Sequence, residues 1–235
     1  MRGLYAIADA ATLVARRLDL VDFVTAVLAA HPAAIQLRAK DMAAGDVEAL
    51  LRKLAPICRR AGVPLFANDL PEAALAAGCD GVHVGQRDAS IAHVRHAAPG
   101  LQVGVSTHTL QQLDLALSER PTYVAFGPVF ATSSKAAPDP VVGVEGLRAA
   151  RARAVAAGIP LVAIGGITRS LAGELVPLVD AVAVIGALVP PSSGPTTPAG
   201  SARFHEVTAR AYALQALFGP GRAGAGEGRS AGVAR

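Results

Sequence analysis

One complete structural unit is contained in the sequence Val144-Glu-Gly-Leu-Arg-Ala-Ala-Arg-Ala-Arg-Ala-Val-Ala-Ala-Gly-Ile-Pro-Leu-Val-Ala-Ile164. Residues Val144–Ala157 have the pattern of a helix, and Gly158 is the residue type that most often follows a helix C-terminus. Pro160–Ile164 is a continuous apolar run, which is typical of a parallel strand covered on both faces. The sequence therefore predicts a helix that returns directly into a buried strand.

The same order of helix, glycine and apolar run recurs along the chain, as in Ala61-Gly62-Val63-Pro64 and Ala77-Gly78-Cys79. The predicted strands are Leu4–Ala8, Ala33–Leu37, Pro64–Ala67, Gly81–Gly85, Leu101–Val105, Tyr123–Gly127, Pro160–Ile164 and Ala181–Ile185. The longer predicted helices are Asp22–His31, Ala44–Ala61, Leu110–Glu119 and Val144–Ala157.

Eight strand–helix units predict an α/β fold, the (β/α)8 or TIM barrel, whose usual length is about 250 residues. The alternative is an open doubly wound sheet, which requires a glycine-rich loop after the first strand. Ala8-Asp9-Ala10-Ala11 stands there instead, so the closed barrel is favoured. We expect it to be a single domain over residues 1–218.

Three segments differ from this repeating pattern. Pro128–Gly143 is long for a loop between a strand and a helix, as active-site loops often are. Pro190–Gly200 is rich in Pro, Ser, Thr and Gly and predicts a linker before a last helix, Ala202–Phe218. Gly219–Arg235 consists mainly of Gly, Ala and Arg without an apolar pattern, which predicts a disordered, flexible tail.

Composition and charge exclude several classes of protein. Of the 235 residues, 52% are hydrophobic and 17% charged, which excludes global disorder. The net charge is +4, but the arginines are scattered and only 4% of residues are aromatic, so no nucleic-acid partner is expected. No apolar run approaches the roughly 20 residues that cross a bilayer, so no membrane partner is expected either.

Location and thiol chemistry follow from two further features. Met1-Arg2-Gly3-Leu4 runs straight into the first predicted strand without an apolar targeting region, so a cytoplasmic location is expected. Cys58 lies in a predicted helix and Cys79 just before a strand, so both are expected to be buried or half-buried free thiols. The oligomeric state stays open, including a homo-oligomer.

In a barrel of this class, the carboxyl ends of the strands and the following loops form the active face. Polar residues of this sequence concentrate at those positions. They are Gln36, Arg38 and Lys40 after the second strand, Asn68 and Asp69 after the third, Gln86 and Asp88 after the fourth, Ser106 and His108 after the fifth, and Thr132, Ser133, Ser134 and Lys135 after the sixth.

The charged members of this set suggest a diphosphate site with a metal ion. Arg38, Lys40 and Lys135 would provide three cations at one mouth, although each alone is also typical of an ordinary surface cation. Asp69 and Asp88 follow adjacent strands, and Mg²⁺ prefers one or two carboxylates together with water and phosphate oxygens. The alternative for each aspartate is to cap the following helix.

A second anion site is indicated at the end of the barrel sequence. Ile164-Gly165-Gly166-Ile167-Thr168 and Val184-Ile185-Gly186 occupy the usual phosphate position of these barrels, although tight turns alone would also explain them. Two anion sites imply two phosphorylated substrates. His83 lies inside a predicted strand and is either a satisfied core histidine or a contact to a ring. His108 has no acid nearby in sequence, which argues against a hydrolytic triad.

At these residues the chain closely resembles the thiamine-phosphate synthase family. The matching motifs are Gln36-Leu-Arg-Ala-Lys40, Asn68-Asp69, Asp80-Gly-Val-His-Val-Gly-Gln-Arg-Asp88, Gly104-Val-Ser-Thr-His-Thr109, Gly127-Pro-Val-Phe-Ala-Thr-Ser-Ser-Lys135, Ala163-Ile-Gly-Gly-Ile-Thr168 and Val182-Ala-Val-Ile185. The resemblance runs in order from about Leu4 to Leu188. It implies a transferase (EC 2.5.1.3) that joins a pyrimidine diphosphate to a thiazole phosphate in thiamine biosynthesis and releases diphosphate.

The resemblance also implies roles for single residues. The pyrimidine diphosphate would contact Gln36, Arg38, Lys40, Asn68 and Lys135, with Ser106 near the ring. The thiazole site would include Thr132 and Ser134, with the amides of Gly166, Ile185 and Gly186 on its phosphate, and Asp69 and Asp88 would hold Mg²⁺. The resemblance implies catalytic roles for Arg38, Lys40, Ser106 and Lys135. The chain departs from the family at Ala39, Ser133-Ser134 and Gly186, where Glu, Lys-Thr and Ser are more usual.

Two other functions fit the same resemblance. One is a thiazole tautomerase of the same superfamily, an isomerase that needs neither metal nor diphosphate and for which His108 would be the natural acid or base. The other is a protein that binds thiazole phosphate without catalysis. The complete set of metal and diphosphate residues favours the synthase.

Overall fold

The computed structural model describes residues 1–132, 139–191 and 201–219. Its strands are β1 (Gly3–Asp9), β2 (Ala34–Arg38), β3 (Leu65–Asn68), β4 (Gly81–Val84), β5 (Gln102–Thr107), β6 (Tyr123–Phe126), β7 (Leu161–Ile164) and β8 (Ala181–Val184). They are parallel and close into a barrel in chain order, with β8 paired to β1. The predicted (β/α)8 barrel is confirmed, and each predicted strand is present with its bounds shifted by one or two residues at most.

The helices surround the barrel and cover its outer face. They are α1 (Ala10–Ala15), α2 (Leu20–Leu28), α3 (Ala44–Ala61), α4 (Pro71–Ala77), α5 (Ile91–Ala97), α6 (Leu110–Ser118), α7 (Gly143–Ala157), α8 (Arg169–Leu175) and α9 (Ser201–Gln215). The predicted bounds Asp22–His31 were wrong for α2. The Asp19 carboxylate accepts hydrogen bonds from the amides of Val21 and Asp22 at 2.8 and 3.0 Å and so starts the helix earlier.

Three side chains stabilise the amino-terminal end of the barrel. Each lies just before one strand and accepts a hydrogen bond from an amide at the start of the preceding strand, from its first or second residue. Asp80 accepts from the Leu65 amide at 2.8 Å, Asp180 from the Leu161 amide at 2.9 Å, and the Thr122 hydroxyl from the Val103 amide at 3.0 Å. These contacts give a hydrogen-bond acceptor to backbone N–H groups at the starts of the strands that would otherwise lack one. This end of the barrel therefore serves stability.

Aromatic rings fill the barrel interior because two strand glycines leave room for them. A Cβ atom on Gly104 would lie 2.0 Å from the Tyr123 ring, and one on Gly81 would lie 2.4 Å from the Phe66 ring. Tyr5, Phe66 and Tyr123 contact one another with ring centroids 5.5–6.0 Å apart. These rings are buried, and the two tyrosines bring hydroxyl groups into the interior.

The larger core lies between the strands and the helices. Cys58 and Cys79 belong to it, and both are buried and free, as predicted. Burial raises the pKa of both thiols to about 12, which makes them unreactive. Within the described ranges, no helix combines the length and apolar character needed to span a membrane. The cytoplasmic location stays a prediction.

Several sequence predictions lie outside the described residues. Ser133, Ser134 and Lys135 belong to residues 133–138, and most of the predicted linker belongs to residues 192–200. The predicted tail beyond Gly219 belongs to residues 220–235. The domain limit at residue 218 therefore also stays a prediction.

Candidate active site

The predicted polar residues of the second to fifth strands meet at the carboxyl end of the barrel. Gln36 and Arg38 lie in β2, Asn68 ends β3, and Ser106 lies near the end of β5. Asp69 follows β3 directly, where its amide donates to the carbonyl of His83 at 2.9 Å. Parallel strands in chain order place all these strand ends on one rim, so residues far apart in sequence become neighbours.

Both predicted cations that the structure describes are already paired with carboxylates. The Arg38 guanidinium forms an ion pair with Asp9, which is buried at the end of β1. The Lys40 ammonium lies 3.0 Å from an Asp69 oxygen. Arg38 and Lys40 therefore turn toward the neighbouring strands on either side of β2. Each charge is held at the mouth by a partner on another strand.

The two predicted metal ligands, Asp69 and Asp88, interact closely enough to shift each other's pKa. Burial raises the pKa of Asp69 to about 6, the Lys40 ammonium opposes this shift, and Asp88 adds to it. Partial burial works against the Asp88 carboxylate, but hydrogen bonds to Asp69 and to the Gly85 amide lower its pKa. Asp69 also has a φ of +66°, a left-handed conformation that is costly for a non-glycine residue and concentrates at functional sites.

This pair fits a hard divalent cation. Two neighbouring carboxyl groups can bind one cation between them, and the donor atoms are the oxygens that Mg²⁺ prefers. No group of three or more His, Cys, Asp or Glu suitable for a metal was found among the described residues. A cation at this position would therefore take its other ligands from water and from substrate phosphate oxygens.

Ser106 is connected to the barrel interior through a histidine. Its hydroxyl lies 2.7 Å from Nε2 of His83, and Nδ1 of His83 lies 2.8 Å from the Tyr123 hydroxyl. His83 is 7% exposed, and burial lowers its pKa to about 4, so the ring is neutral. Of the two interpretations of His83, the structure supports the satisfied buried histidine.

The glycine pair after β7 allows the loop after β6 to pack closely. The Val129 amide donates to the carbonyl of Ile164 at 2.9 Å, and the Phe130 amide donates to that of Gly165 at 3.1 Å. A Cβ atom on Gly166 would lie 2.3 Å from the carbonyl oxygen of Ala131, and Gly166 has a φ of +65°. The pair therefore has a packing role, whether or not it also binds a phosphate.

The predicted residues of the thiazole side are only partly described. Gly166 follows β7, and Ile185 and Gly186 follow β8, its neighbour in the barrel. Gly186 begins a short 3₁₀ turn, Gly186–Leu188. Thr132 is half-buried at the last described position before residues 133–138. The strand order thus places these residues together at the same end of the barrel as Asp69.

His108 has a carboxylate neighbour that sequence proximity did not show. Its Nδ1 atom lies 2.6 Å from the carbonyl oxygen of Gly127, and its Nε2 atom lies 3.4 Å from an oxygen of Asp139. Asp139 lies in the long loop after β6, and folding brings it back to the end of β5. This contact joins that loop to the rim.

Sequence reasoning missed four residues that contact the site: Tyr5, Asp9, Tyr123 and Asp139. Asp9 could have been found, because it directly follows the predicted strand Leu4–Ala8, as Asn68 directly follows Pro64–Ala67. The two tyrosines occur within predicted strands and were counted with the apolar core. No sequence pattern near Asp139 indicated that it would pair with His108.

A closed parallel barrel with carboxylates, cations and glycine turns on its carboxyl rim is the arrangement of barrel enzymes that act on phosphorylated substrates. Comparison with known proteins narrows this class. Residues 4–188 match the family model described as thiamine monophosphate synthase. The thiamine-phosphate synthase of Roseiflexus sp. (strain RS-1) is 40% identical over 85% of this chain and 83% of its own length. That of Roseiflexus castenholzii is 42% identical over 73% and 75%.

A solved structure agrees with these relatives. The thiamine phosphate pyrophosphorylase from Pyrococcus furiosus superposes with a TM-score of 0.76 at 28% identity, covering 92% of this chain and 95% of that one. The chain belongs to the thiamine monophosphate synthase family. The family, the fold and the class of enzyme expected from the motifs, the thiamine-phosphate synthases, are thereby confirmed.

Proposed function

We propose that this chain joins 4-amino-2-methyl-5-(diphosphooxymethyl)pyrimidine to 4-methyl-5-(2-phosphooxyethyl)thiazole, forming thiamine phosphate and diphosphate. The observation that carries the proposal is the interacting carboxyl pair of Asp69 and Asp88 at the barrel mouth, with the Lys40 ammonium 3.0 Å from an Asp69 oxygen. Such a set suits a divalent cation that also binds a diphosphate. An isomerase acting on a thiazole phosphate would have no use for it.

The chemistry needs charge stabilisation more than proton transfer. The bond between the pyrimidine methylene carbon and the diphosphate oxygen breaks, and both electrons leave with the diphosphate. The carbon is left cationic and is stabilised by the ring's amino group. The thiazole nitrogen then donates its lone pair to form the new C–N bond. Because no protein nucleophile is required, catalysis rests on positioning and on electrostatic stabilisation of the departing group.

On the diphosphate side, Arg38, Lys40 and Lys135 are proposed to bind the leaving group. The ion pairs of Arg38 and Lys40 with neighbouring carboxylates hold both side chains at the mouth before the substrate arrives, which lowers the ordering cost of binding. Gln36 and Asn68 are proposed to bind the same substrate. They are linked to each other by a 2.9 Å hydrogen bond from the Gln36 amide nitrogen to the Asn68 oxygen.

Asp69 and Asp88 are proposed to hold Mg²⁺. When bound, the ion supplies positive charge to the oxygens of the departing diphosphate. Asp69 has to be deprotonated to hold the ion, and burial raises its pKa to about 6. Lys40 is then free to turn from Asp69 toward the diphosphate.

On the thiazole side, the amides of Gly166, Ile185 and Gly186 are proposed to bind the phosphate, with Thr132 and Ser134 near the ring. The support is their position after two adjacent strands, where these barrels commonly bind phosphate. Gly186 has no side-chain hydroxyl, so the hydrogen bonds to the phosphate at this position would come from backbone amides alone. The purpose of the departures at Ala39 and Ser133-Ser134 has no structural explanation.

The isomerase is the second candidate, and the carboxylate beside His108 is the observation that favours it. A histidine with one nitrogen at a carbonyl and the other 3.4 Å from a carboxylate is arranged as an acid or base. The same contact also anchors the long loop, which the synthase needs for Lys135. The two functions differ in their requirement for a metal and a diphosphate.

The deciding experiment incubates the full-length protein with both substrates, with and without Mg²⁺, and measures thiamine phosphate by mass spectrometry and thiazole isomers, which have equal mass, by ¹H NMR. Product should form only with Mg²⁺ and should stop when EDTA is added. Isomerised thiazole phosphate in EDTA, without thiamine phosphate, would replace the synthase by the isomerase. Binding of thiazole phosphate with no product of either kind would leave a non-catalytic binding protein.

Variants of the carboxylate pair test the metal site directly. Asp69→Asn and Asp88→Asn keep the side-chain volume but remove charge, so each should lower turnover and raise the Mg²⁺ requirement. Their combined effect should be less than additive, since either loss already disables the same ion. The control is Asp114→Asn, at an exposed ion pair with Arg153 on the outside of the barrel. Two independent, additive losses would contradict a shared ion.

A further inference from the structure

A continuous chain of hydrogen bonds crosses the barrel interior beneath the active site. In order, it contains Asn68, Gln36, Tyr5, Tyr123, His83 and Ser106. The five donor–acceptor distances are 2.9, 2.9, 2.7, 2.8 and 2.7 Å. Both ends of the chain reach the rim and are residues proposed above to contact the pyrimidine substrate.

The middle of this chain is shielded from water. Tyr5 is 2% exposed, Tyr123 is fully buried, and Gln36 is 3% exposed. The Tyr123 ring also stacks against the His83 ring, with centroids 5.6 Å apart. A buried donor or acceptor without a partner costs about 1–3 kcal/mol, so each group in the chain has to be satisfied by its neighbour.

The amide end of the chain sets the direction of every hydrogen bond in it. The Gln36 nitrogen donates to Asn68, so the Gln36 oxygen faces Tyr5 and can only accept. Tyr5 therefore donates to Gln36, and its single hydroxyl hydrogen is used. It follows that Tyr123 donates to Tyr5, and that Nδ1–H of His83 donates to Tyr123.

The direction of these hydrogen bonds also determines whether Ser106 donates or accepts at the barrel mouth. A neutral imidazole with its hydrogen on Nδ1 has only a lone pair on Nε2. The Ser106 hydroxyl must then donate its hydrogen to His83. Its remaining lone pairs are left to face the barrel mouth, where Ser106 is half-buried. Ser106 is thus an acceptor toward anything that binds above it.

We propose that Tyr5 and Tyr123 are positioning residues that fix Ser106 as a hydrogen-bond acceptor for the amino group of the aminopyrimidine substrate. This inference rests on the proposed function. As diphosphate departs, positive charge spreads onto that amino group, and its N–H becomes a stronger donor. An acceptor held in place beforehand then gains strength in the transition state, which raises turnover rather than substrate binding alone.

The tautomer of His83 tests the direction of the chain without any assay of activity. The full-length protein is labelled with ¹⁵N-histidine, and the His83 signal among the six histidines is identified by its loss in His83→Gln. Nδ1 should carry the hydrogen and Nε2 should not. If Nε2 carries the hydrogen, the chain runs the opposite way, Ser106 is a donor, and the proposal is overturned.

Tyr123→Phe removes the acceptor of Nδ1–H and should switch His83 to the other tautomer. Turnover should fall about tenfold, the effect of one lost hydrogen bond, while the KM for thiazole phosphate stays close to wild type. Tyr5→Phe should act in the same direction. The matched control is Tyr212→Phe, on an exposed ring of α9. Equal changes in both KM values together with lower stability would indicate a purely structural role and overturn the proposal.

A double variant keeps the test decisive if Tyr123→Phe is poorly stable. Because Tyr123 acts through Ser106, it should have little further effect on turnover in a Ser106→Ala background. The same factor in both backgrounds would overturn the proposal. An absence of thiamine phosphate with the expected tautomer would refute the proposed function and the catalytic role with it. The opposite tautomer in an active enzyme would refute only the direction of the chain.

Discussion

At the rim, the position of a single side chain depends on the hydrogen bonds and ion pairs that it makes with its neighbours. Arg38 is a useful cation because Asp9, 5% exposed, holds its guanidinium. One Asp9 oxygen binds Arg38, and the other accepts from the amide and hydroxyl of Thr12 at 2.9 and 2.6 Å, which begins α1. One carboxylate therefore connects Arg38, a proposed substrate-binding side chain, to the local backbone.

Asp9→Asn should destabilise the protein by about 2 kcal/mol, because Arg38 loses a charge-assisted partner in a half-buried position. The asparagine still caps α1, so the helix start is kept. The measurement is urea unfolding beside Asp19→Asn, which changes an equivalent cap on α2 with no ion pair of this kind. Equal losses in the two variants would show that capping alone matters at Asp9.

His83 should make stability depend on pH. Its pKa is about 4 in the folded protein, while an unfolded histidine titrates near 6.5. Between these values the unfolded chain binds the extra proton, so the free energy of unfolding falls as the pH falls from about 6.5 to 4, by on the order of 3 kcal/mol.

The pKa of Asp69 is also shifted, to about 6, and this shift makes the free energy of unfolding rise as the pH falls. The wild type is therefore compared with His83→Gln, in which the contribution of Asp69 is retained and that of His83 is removed. The advantage of the wild type over the variant should shrink as the pH is lowered. Chemical unfolding at a series of pH values measures it. A difference that stays constant from neutral pH to pH 4 would mean that His83 is not held neutral.

At the scale of elements, the turn after β7 and the loop after β6 form one packed unit. The loop donates two backbone hydrogen bonds to Ile164 and Gly165, and Gly166 leaves space for its carbonyl groups. The long loop also returns to the rim through Asp139 and His108. The position of the proposed thiazole side therefore depends on the packing of the glycine pair against the loop.

Gly166→Ala should destabilise the protein by about 2–4 kcal/mol, because a side chain is strained at a φ of +65° and its Cβ would meet a backbone oxygen. The KM for thiazole phosphate should rise as the turn and the loop separate. Gly173→Ala is the matched control. It lies in α8 with nothing within 4 Å of its added Cβ, so alanine should stabilise slightly. If Gly166→Ala changed the free energy of unfolding as little as Gly173→Ala, the packing role of Gly166 would be contradicted.

At the scale of the whole molecule, the barrel closes within the described residues. β8 pairs with β1, and α9 packs onto this seam, where Gln215 accepts from the Leu4 amide at 2.8 Å. Arg203 reaches back to the carbonyl of Arg16 at 2.7 Å. These contacts extend to Phe218, whose side chain is buried. Residues up to Phe218 therefore take part in closing the barrel.

Deleting residues 220–235 should leave the melting temperature and turnover nearly unchanged, because this segment has no apolar stripe in its sequence. Differential scanning calorimetry and the thiamine phosphate assay check both quantities. The full chain prepared in parallel is the control. A drop of several degrees, or lost activity, would mean that the segment docks on the barrel or covers the substrate.

The sequence by itself determined the barrel, its eight strands and most of the described polar residues on its carboxyl rim. These features depend on local signals: apolar runs, a glycine at a helix end such as Gly158, and the rule that parallel strands end on one face. The helix α3 was predicted at its observed bounds for the same reason. The motifs at the carboxyl rim match those of one protein family, and this match indicated the class of enzyme before any contact was known.

Only the tertiary structure decided which of these residues act on one another. Tyr5 and Tyr123 are 118 positions apart, yet their hydroxyl groups lie 2.7 Å from each other. The raised pKa of Asp69 depends on burial and on Asp88, and the pairing of Arg38 depends on Asp9. Hydrogen bonds and charge interactions vary with distances of tenths of an ångström and with the exclusion of water. Such distances arise only when the strands close, so no local pattern encodes them.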